Sequence, residues 1–346
     1  MHGLNRSDIK RLLVLDLGQV GDVIMSFPAL QSIREGFPTA EITVLAGKTP
    51  AELIDELRLA DKVIAVDRVA LLRGNKLSSI GKILKLVAEI RRLRFEFIID
   101  LHSLHESNLL GYISGAKFRL FGNRESRSLD VLSNFRPRPP REDKAKHLAE
   151  YYLDVLKPLR LSDASIYIEL KPQGNLIEAF RKCYLADIPD GMNLVGLFVG
   201  AGNNSRRWAI DKFAALSRRL ADELGARPIV FLGPEEHGME AVIRDEFHQS
   251  TMIIPGLRLT ELMGAFASLD LLVGNDTGPT HLAAVVGTPI VLIGDIRAPS
   301  RYRPLTKEAR LVKSGTIDEI ALPEVWSEVV AALSTAGRSK LERVRP

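Results

Sequence analysis

The chain has 346 residues, 46% of them hydrophobic and 26% charged, with a formal net charge of +4. That length exceeds what one core usually holds, so two domains of roughly 150 residues each are expected, and the composition excludes disordered and fibrous classes. The single cysteine, Cys183, excludes an intrachain disulfide and a cysteine-based metal site, and fits a reducing compartment.

In chain order, Leu12 to Asp16 is a short apolar run, followed by Leu17-Gly18-Gln19-Val20-Gly21 and a helical pattern from Asp22 to Glu35. Strands are then expected at Ile42 to Leu45, Val63 to Val66, Phe97 to Asp100 and Phe118 to Phe121, with helices near Ala51 to Leu57 and Ser79 to Leu93. A second series has strands at Leu194 to Val199, Pro228 to Phe231, Met252 to Ile254, Leu271 to Val273 and Ile290 to Ile293. Its helices fall near Asp211 to Leu224, Glu236 to Phe247, Thr260 to Ser268 and Pro279 to Val286. Short apolar runs alternating with helices imply parallel sheets covered on both faces. The expected organisation is a Rossmann-like α/β domain over 1–172, a linker and hinge over 173–192, and a second Rossmann-like domain over 193–322. A terminal helix and basic tail follow over 323–346. Two doubly wound domains of this kind bind ligands at the carboxyl ends of their strands, which places the site in a cleft between them.

No apolar run approaches the roughly 18 residues that span a bilayer, and Met1 to Arg11 has no apolar h-region, so a cytoplasmic protein is expected. Basic residues concentrate between Lys117 and Lys146, including Arg136 and Arg138, against Glu125, Asp130, Glu142 and Asp143. Such a stretch suits phosphates, an anionic acceptor or an anionic membrane surface, or is simply a solvated loop. Nucleic acid is not expected, because no binding motif accompanies the charge and aromatics are 6%.

Four loops after strands carry the chemical signal. In Leu17 to Asp22, two glycines let the backbone approach a ligand, but GxxGD is not a dinucleotide fingerprint, and Leu45-Ala46-Gly47 supplies no ribose acid. Asp22 reads as a base or hydroxyl ligand, or as a helix-capping acid. Gly200 to Trp208 joins small and amide residues to Arg206 and Arg207, which suits phosphate, or a surface pair. Gly233 to His237 brings Glu235 and Glu236, either of which suits a ribose diol or a helix N-terminus. Gly274 to His281 turns through Asp276, Thr277 and Gly278 into a helix with Pro279 at its start, a ready anion site. His102 and His105 follow Asp100 without a partner that would define a metal site, and Walker A, HExxH and GxSxG motifs are absent.

These blocks resemble glycosyltransferase family 9, the lipopolysaccharide heptosyltransferases. The resemblance rests on Leu13 to Ile24 with Pro28-Ala29-Leu30, on Phe97 to His102, on Ser205 to Trp208, and on Asn275 to Ala284 with Gly287-Thr288-Pro289. It implies a GT-B fold and an inverting, metal-independent transfer from ADP-heptose to an acceptor hydroxyl, with no cofactor beyond the nucleotide-sugar donor. Asp22 falls on the family's base, and Gly21, Asp100, His102, Arg136 and Arg138 fall on the acceptor side. The phosphate-binding lysine falls on Arg206, a departure that keeps the charge and changes its geometry. Arg207, Asp276, Thr277 and Gly278 are donor-side, with Leu257 against the adenine and Glu235 or Glu236 near the ribose. The implied acceptor is an anionic lipid A–Kdo core at the cytoplasmic face of the inner membrane, met by the basic stretch. A UDP- or GDP-sugar donor, or a noncatalytic nucleotide-sugar-binding protein of the same fold, are the alternatives; an NAD(P) oxidoreductase lacks its fingerprint.

Overall fold

The strands at the centre of the two sheets are mainly apolar and buried over nearly their whole length, as burial on both faces favours. The computed structural model describes residues 5–67, 76–125, 127–233, 236, 238–295 and 300–343. In the first unit β1 (Arg11–Asp16), β2 (Glu41–Gly47), β3 (Lys62–Val66), β4 (Phe97–Asp100) and β5 (Phe118–Phe121) form a parallel sheet in the order β3-β2-β1-β4-β5. Its helices are α1 (Val20–Gly36), α2 (Lys48–Glu56), α3 (Lys76–Leu93), α4 (His105–Ile113) and α5 (Leu148–Val155). The alternation of short strands and helices met along the sequence is this sheet and its covering. The order reverses between β1 and β4, so the loops leaving these two strands flank the point where open α/β sheets take ligands.

The second unit repeats the plan. β6 (Leu194–Phe198), β7 (Arg227–Leu232), β8 (Met252–Pro255), β9 (Leu271–Asn275), β10 (Ile290–Asp295) and β11 (Arg310–Ser314) run in the order β11-β10-β9-β6-β7-β8, all parallel. The helices are α6 (Gly174–Tyr184), α7 (Ile210–Leu224), α8 (Glu240–Glu246), α9 (Leu259–Ala267), α10 (Gly278–Val285) and α11 (Leu322–Arg343). Here the reversal lies between β6 and β9. The loops leaving those strands are Gly200 to Trp208 and Asp276 to His281. Trp208 is fully buried in the core, edge-on to Phe213 and donating Nε1–H to Ile320 O at 2.9 Å.

The division of the chain differs from the expected one. Unit one is Met1–Ile166 with Ser300–Tyr302, and unit two is Tyr167–Pro299 with Arg303–Pro346. The segment read as a linker over 173–192 is instead built into unit two. Its α6 packs on α9 so closely that a Cβ on Gly264 would lie 2.5 Å from Leu176 O, and Phe180 sits against Phe231. Its prolines and glycines bound a packed helix of unit two. Ser300–Tyr302, read as part of the second domain, belongs to the first. The tail expected from Arg338 is helical as far as Arg343, and α11 buries Val325, Val329 and Ala332 in the core of unit two.

Candidate active site

In unit one, β1 ends at Asp16 and three loop residues lead into α1, where Asp22 is the third helical residue. Its Oδ2 accepts the Gln19 N–H at 3.3 Å, so the capping arrangement is present, and the side chain remains partly exposed. The loop passes tightly between two side chains. A Cβ on Gly18 would lie 2.8 Å from Asp22 Cβ and 3.4 Å from the His102 ring, whereas Gly21 has open space where its Cβ would stand.

Behind Asp22 lies a buried polar cluster. His102 is buried with Nδ1 3.2 Å from Tyr152 Oη, and its carbonyl accepts from Arg124 Nη1 at 2.9 Å. Asp100, expected to touch an acceptor, is turned inward and has no exposed surface. Its Oδ2 accepts from Asn108 and its Oδ1 from the Ser103 N–H, both at 2.7 Å, so it shapes the loop after β4. Burial pushes Asp100 up to about 6, against donors at Ser107, Ser103 and Asn108 and the charge of Arg124. Asp16 is equally buried and is pushed up to about 7: desolvation dominates, the Ser26 hydroxyl opposes it, Asp22 and Asp100 add to it, and the Gly18 N–H pulls down.

The basic stretch is partly neutralised by its own acids. Arg124 is buried, 3.4 Å from Glu142 and stacked on Tyr151, and Arg301 reaches the same carboxylate from a distant part of the sequence. Arg138 pairs with Asp130 at 3.0 Å, and Arg141 pairs with Glu125. Arg136 donates to Ser133 O and Phe135 O. Arg136 and Arg138 nonetheless stay exposed, as do Lys117 and Arg127.

In unit two, Asn275 at the end of β9 ties the two loops together. Its Oδ1 accepts the Trp208 N–H at 3.0 Å, and its Nδ2 donates to Val199 O and Gly200 O. Thr280 Oγ1 donates to Asn275 O at 2.7 Å, and Thr277 is the N-cap of α10, with Gly278 its first residue. The first amides of α10 therefore open beside a braced loop, an arrangement suited to an anion. Asp276 Oδ1 lies 3.1 Å from His281 Nε2. Burial raises the Asp276 carboxyl, but His281, Arg206 and Lys313 together hold it below the usual carboxylate range. Arg206 is exposed at this mouth, and Leu257 is half-buried in the loop after β8.

Glu236 departs from the expected ribose role. It is 3% exposed, accepting from Arg207 Nη2 at 3.0 Å and from the Gly233 N–H at 3.1 Å. A Cβ on Gly200 would lie 2.5 Å from it. Its carboxylate is spent on positioning Arg207, and Arg207 in turn reaches back to Ala201 O. The other ribose candidate, Glu235, lies outside the described residues. Sequence reasoning missed Asp16, Asn275 and Arg301. Asp16 and Asn275 lie within the Leu13 to Ile24 and Asn275 to Ala284 blocks, each at a strand end, but no role was assigned to them there; Arg301 carried no local signal.

Asp22 is thus a carboxylate with one open side at the switch point of one sheet. Arg206 and the α10 amides form a cationic mouth at the switch point of the other. Known proteins share this fold. The glycosyl transferase family 9 structure from Veillonella parvula superimposes with a TM-score of 0.82 at 22% identity, covering 96% of this chain and 98% of that one. The Escherichia coli heptosyltransferase WaaC, solved with ADP-2-deoxy-2-fluoro heptose, gives 0.74 at 18% identity over 93% of this chain and 99% of its own. The fold is accordingly the α/β, two-sheet GT-B architecture. The lipopolysaccharide core heptosyltransferase OpsX of Haemophilus influenzae is 23% identical over 301 residues, 85% of this chain and 82% of that protein. The sequence matches the model of glycosyltransferase family 9 (heptosyltransferase) over residues 83–325. With the match spanning the loop after β4 and both loops that form the cationic mouth, the chain belongs to glycosyltransferase family 9 and is a glycosyltransferase.

Proposed function

We propose that this enzyme transfers heptose from ADP-heptose to a hydroxyl of an anionic lipopolysaccharide-core glycolipid, with inversion and without a metal ion or other cofactor. Asp22 takes the acceptor O–H proton as the oxygen attacks the anomeric carbon. The bond from that carbon to the diphosphate oxygen breaks, and ADP leaves with the electron pair. Arg206 and the α10 amides at Thr277 and Gly278 stabilise the charge that grows on the leaving diphosphate. Arg207, held by Glu236, adds a second guanidinium at the donor loop, and Leu257 packs on the base. The observation that carries this reading is the open-sided Asp22 carboxylate at the third position of α1. ADP as the nucleotide is supported by the ligand named for WaaC.

Gly21, beside Asp22, leaves room for the acceptor, and exposed Arg136 and Arg138 meet its anionic groups. The acceptor chemistry implies a protein working at the cytoplasmic face of the inner membrane as a peripheral partner. No helix among the described residues is long and apolar enough to cross a membrane.

Melting-temperature shifts with ADP, UDP and GDP test the donor. A saturating nucleotide at about a hundred times its Kd stabilises by roughly 2.7 kcal/mol. A shift with ADP alone, followed by heptosyl transfer that survives a chelator and is lost in Asp22→Asn, is the expected result. A selective shift with UDP or GDP replaces the donor, and full activity in Asp22→Asn removes the base.

A further inference from the structure

Asp16, at the end of β1, is fully buried and plays no part in the transfer just described. Ser26, also fully buried on α1, stands between two oxygens. Its Oγ is 2.5 Å from Asp16 Oδ2 and 2.7 Å from Val23 O. A serine hydroxyl has one proton and can donate to only one of them. If Asp16 were a carboxylate, one of these close oxygen pairs would have no proton between its members. If Asp16 carries the proton, both contacts are hydrogen bonds: Asp16 Oδ2–H donates to Ser26 Oγ, and Ser26 Oγ–H donates to Val23 O.

The surroundings agree. Among the described residues, Asp16 Oδ1 is buried without a hydrogen bond of normal geometry, a tolerable state for the carbonyl oxygen of a neutral acid and a costly one for half of a carboxylate. The groups facing Asp16 are Asp22 from α1, Asp100 from β4 and the Tyr152 phenol from α5; its neighbour on β2 is Ala46. The cation of this cluster, Arg124, is held by Glu142 and the His102 carbonyl. Two of these neighbours are acids, and a third carboxylate charge among them is disfavoured.

We propose that Asp16 is a neutral carboxylic acid whose proton links β1 through Ser26 to Val23, the residue after Asp22, and that it thereby positions the base. This role rests on the reading of Asp22 as the base. Asp16 is a positioning residue and does not touch the substrate. When it ionises, Ser26 turns its proton toward Asp16, the link to Val23 is lost and the first turn of α1 loosens. A misplaced base costs up to about a hundredfold in kcat.

The test compares wild type, Asp16→Asn, Asp16→Ala and Ser26→Ala by pH profile and by infrared difference spectroscopy. Asparagine keeps an N–H for Ser26 and cannot ionise. The expected results are a kcat that falls on the alkaline side in wild type and not in Asp16→Asn, and a kcat in Asp16→Ala and Ser26→Ala reduced at every pH with KM little changed. Asp16→Asn restores the loss seen in Asp16→Ala. The infrared difference between wild type and Asp16→Asn near pH 6 shows the carbonyl band of a protonated acid, and this readout stands even where an alanine variant fails to fold. A carboxylate band there, an Asp16→Asn enzyme as slow as Asp16→Ala, or an unchanged alkaline fall in Asp16→Asn overturns the assignment. If Asp22→Asn remains active, the base reading has failed, and the infrared band still decides the protonation of Asp16.

Discussion

Replacing Arg207 with methionine keeps an apolar side chain of similar reach and removes the guanidinium that neutralises Glu236. Among the described residues, what remains bonded to that carboxylate is the Gly233 N–H. Breaking a buried ion pair by removing one partner costs about 3–5 kcal/mol. The Arg207 side chain is 26% exposed, against 4% for Glu236, so water reaches the site and about 2–3 kcal/mol is expected. At roughly 2–4 °C per kcal/mol for a unit of this size, the melting temperature should fall by about 4–12 °C. Glu236→Gln alone should cost less, because Arg207 can turn to water, and the double variant should recover most of the loss. A double-mutant cycle by chemical or thermal unfolding measures the coupling directly. If Arg207→Met costs under about 1 kcal/mol, or the two changes simply add, then Glu236 is not held by Arg207 and remains available to a ligand.

The raised carboxyl of Asp16 makes a pH-dependent stability prediction with a definite sign. A folded-state value near 7 against 3.8 unfolded means that the folded protein holds a proton the unfolded chain releases. Stability is therefore greatest below pH 4 as far as this group is concerned, and is lost as pH rises from about 4 to 7, by about 4 kcal/mol in all. Denaturant unfolding of Asp16→Asn should lack that decline and exceed wild type at pH 8; parallel curves for the two proteins would contradict it. Glu142→Gln leaves the guanidiniums of Arg124 and Arg301 buried with one fewer charge between them, and should lower the melting temperature of unit one by several degrees; an unchanged melting point would show that the carbonyls of His102, Asp143 and Lys146 suffice. His281→Ala removes the hydrogen bond that helps keep Asp276 ionised, so Asp276 should contribute less stability above its titration and its loss on acidification should be complete at a higher pH, as followed by acid unfolding; an identical acid limb would mean Arg206 and Lys313 are enough.

Much of the fold was readable from local pattern. Apolar runs bounded by glycine, proline and acids marked the central strands, because a strand covered on both faces is apolar over most of its positions. β11 escaped notice for the converse reason: Arg310-Leu311-Val312-Lys313-Ser314 lies at a sheet edge, buries only Val312 fully, and so has no continuous run. The Asp22 and Asp276 loops stood out because turn glycines and capping residues act over a few positions. Whether an acid at a strand end faces outward or inward is set by what packs on it. Asp16 and Asp100 each close an apolar strand, and only the covering helices, through Ser26 and Asn108, turn them into buried hydrogen-bonding groups. Arg301 is 159 positions from Glu142, and nothing in the intervening residues announces that pairing. Thus the sequence by itself determined the strands, the loops at their carboxyl ends and the kind of chemistry those loops hold. The tertiary structure decided which carboxylates meet solvent, which are desolvated, and where the chain divides, since burial and long-range pairing depend on the whole packed unit.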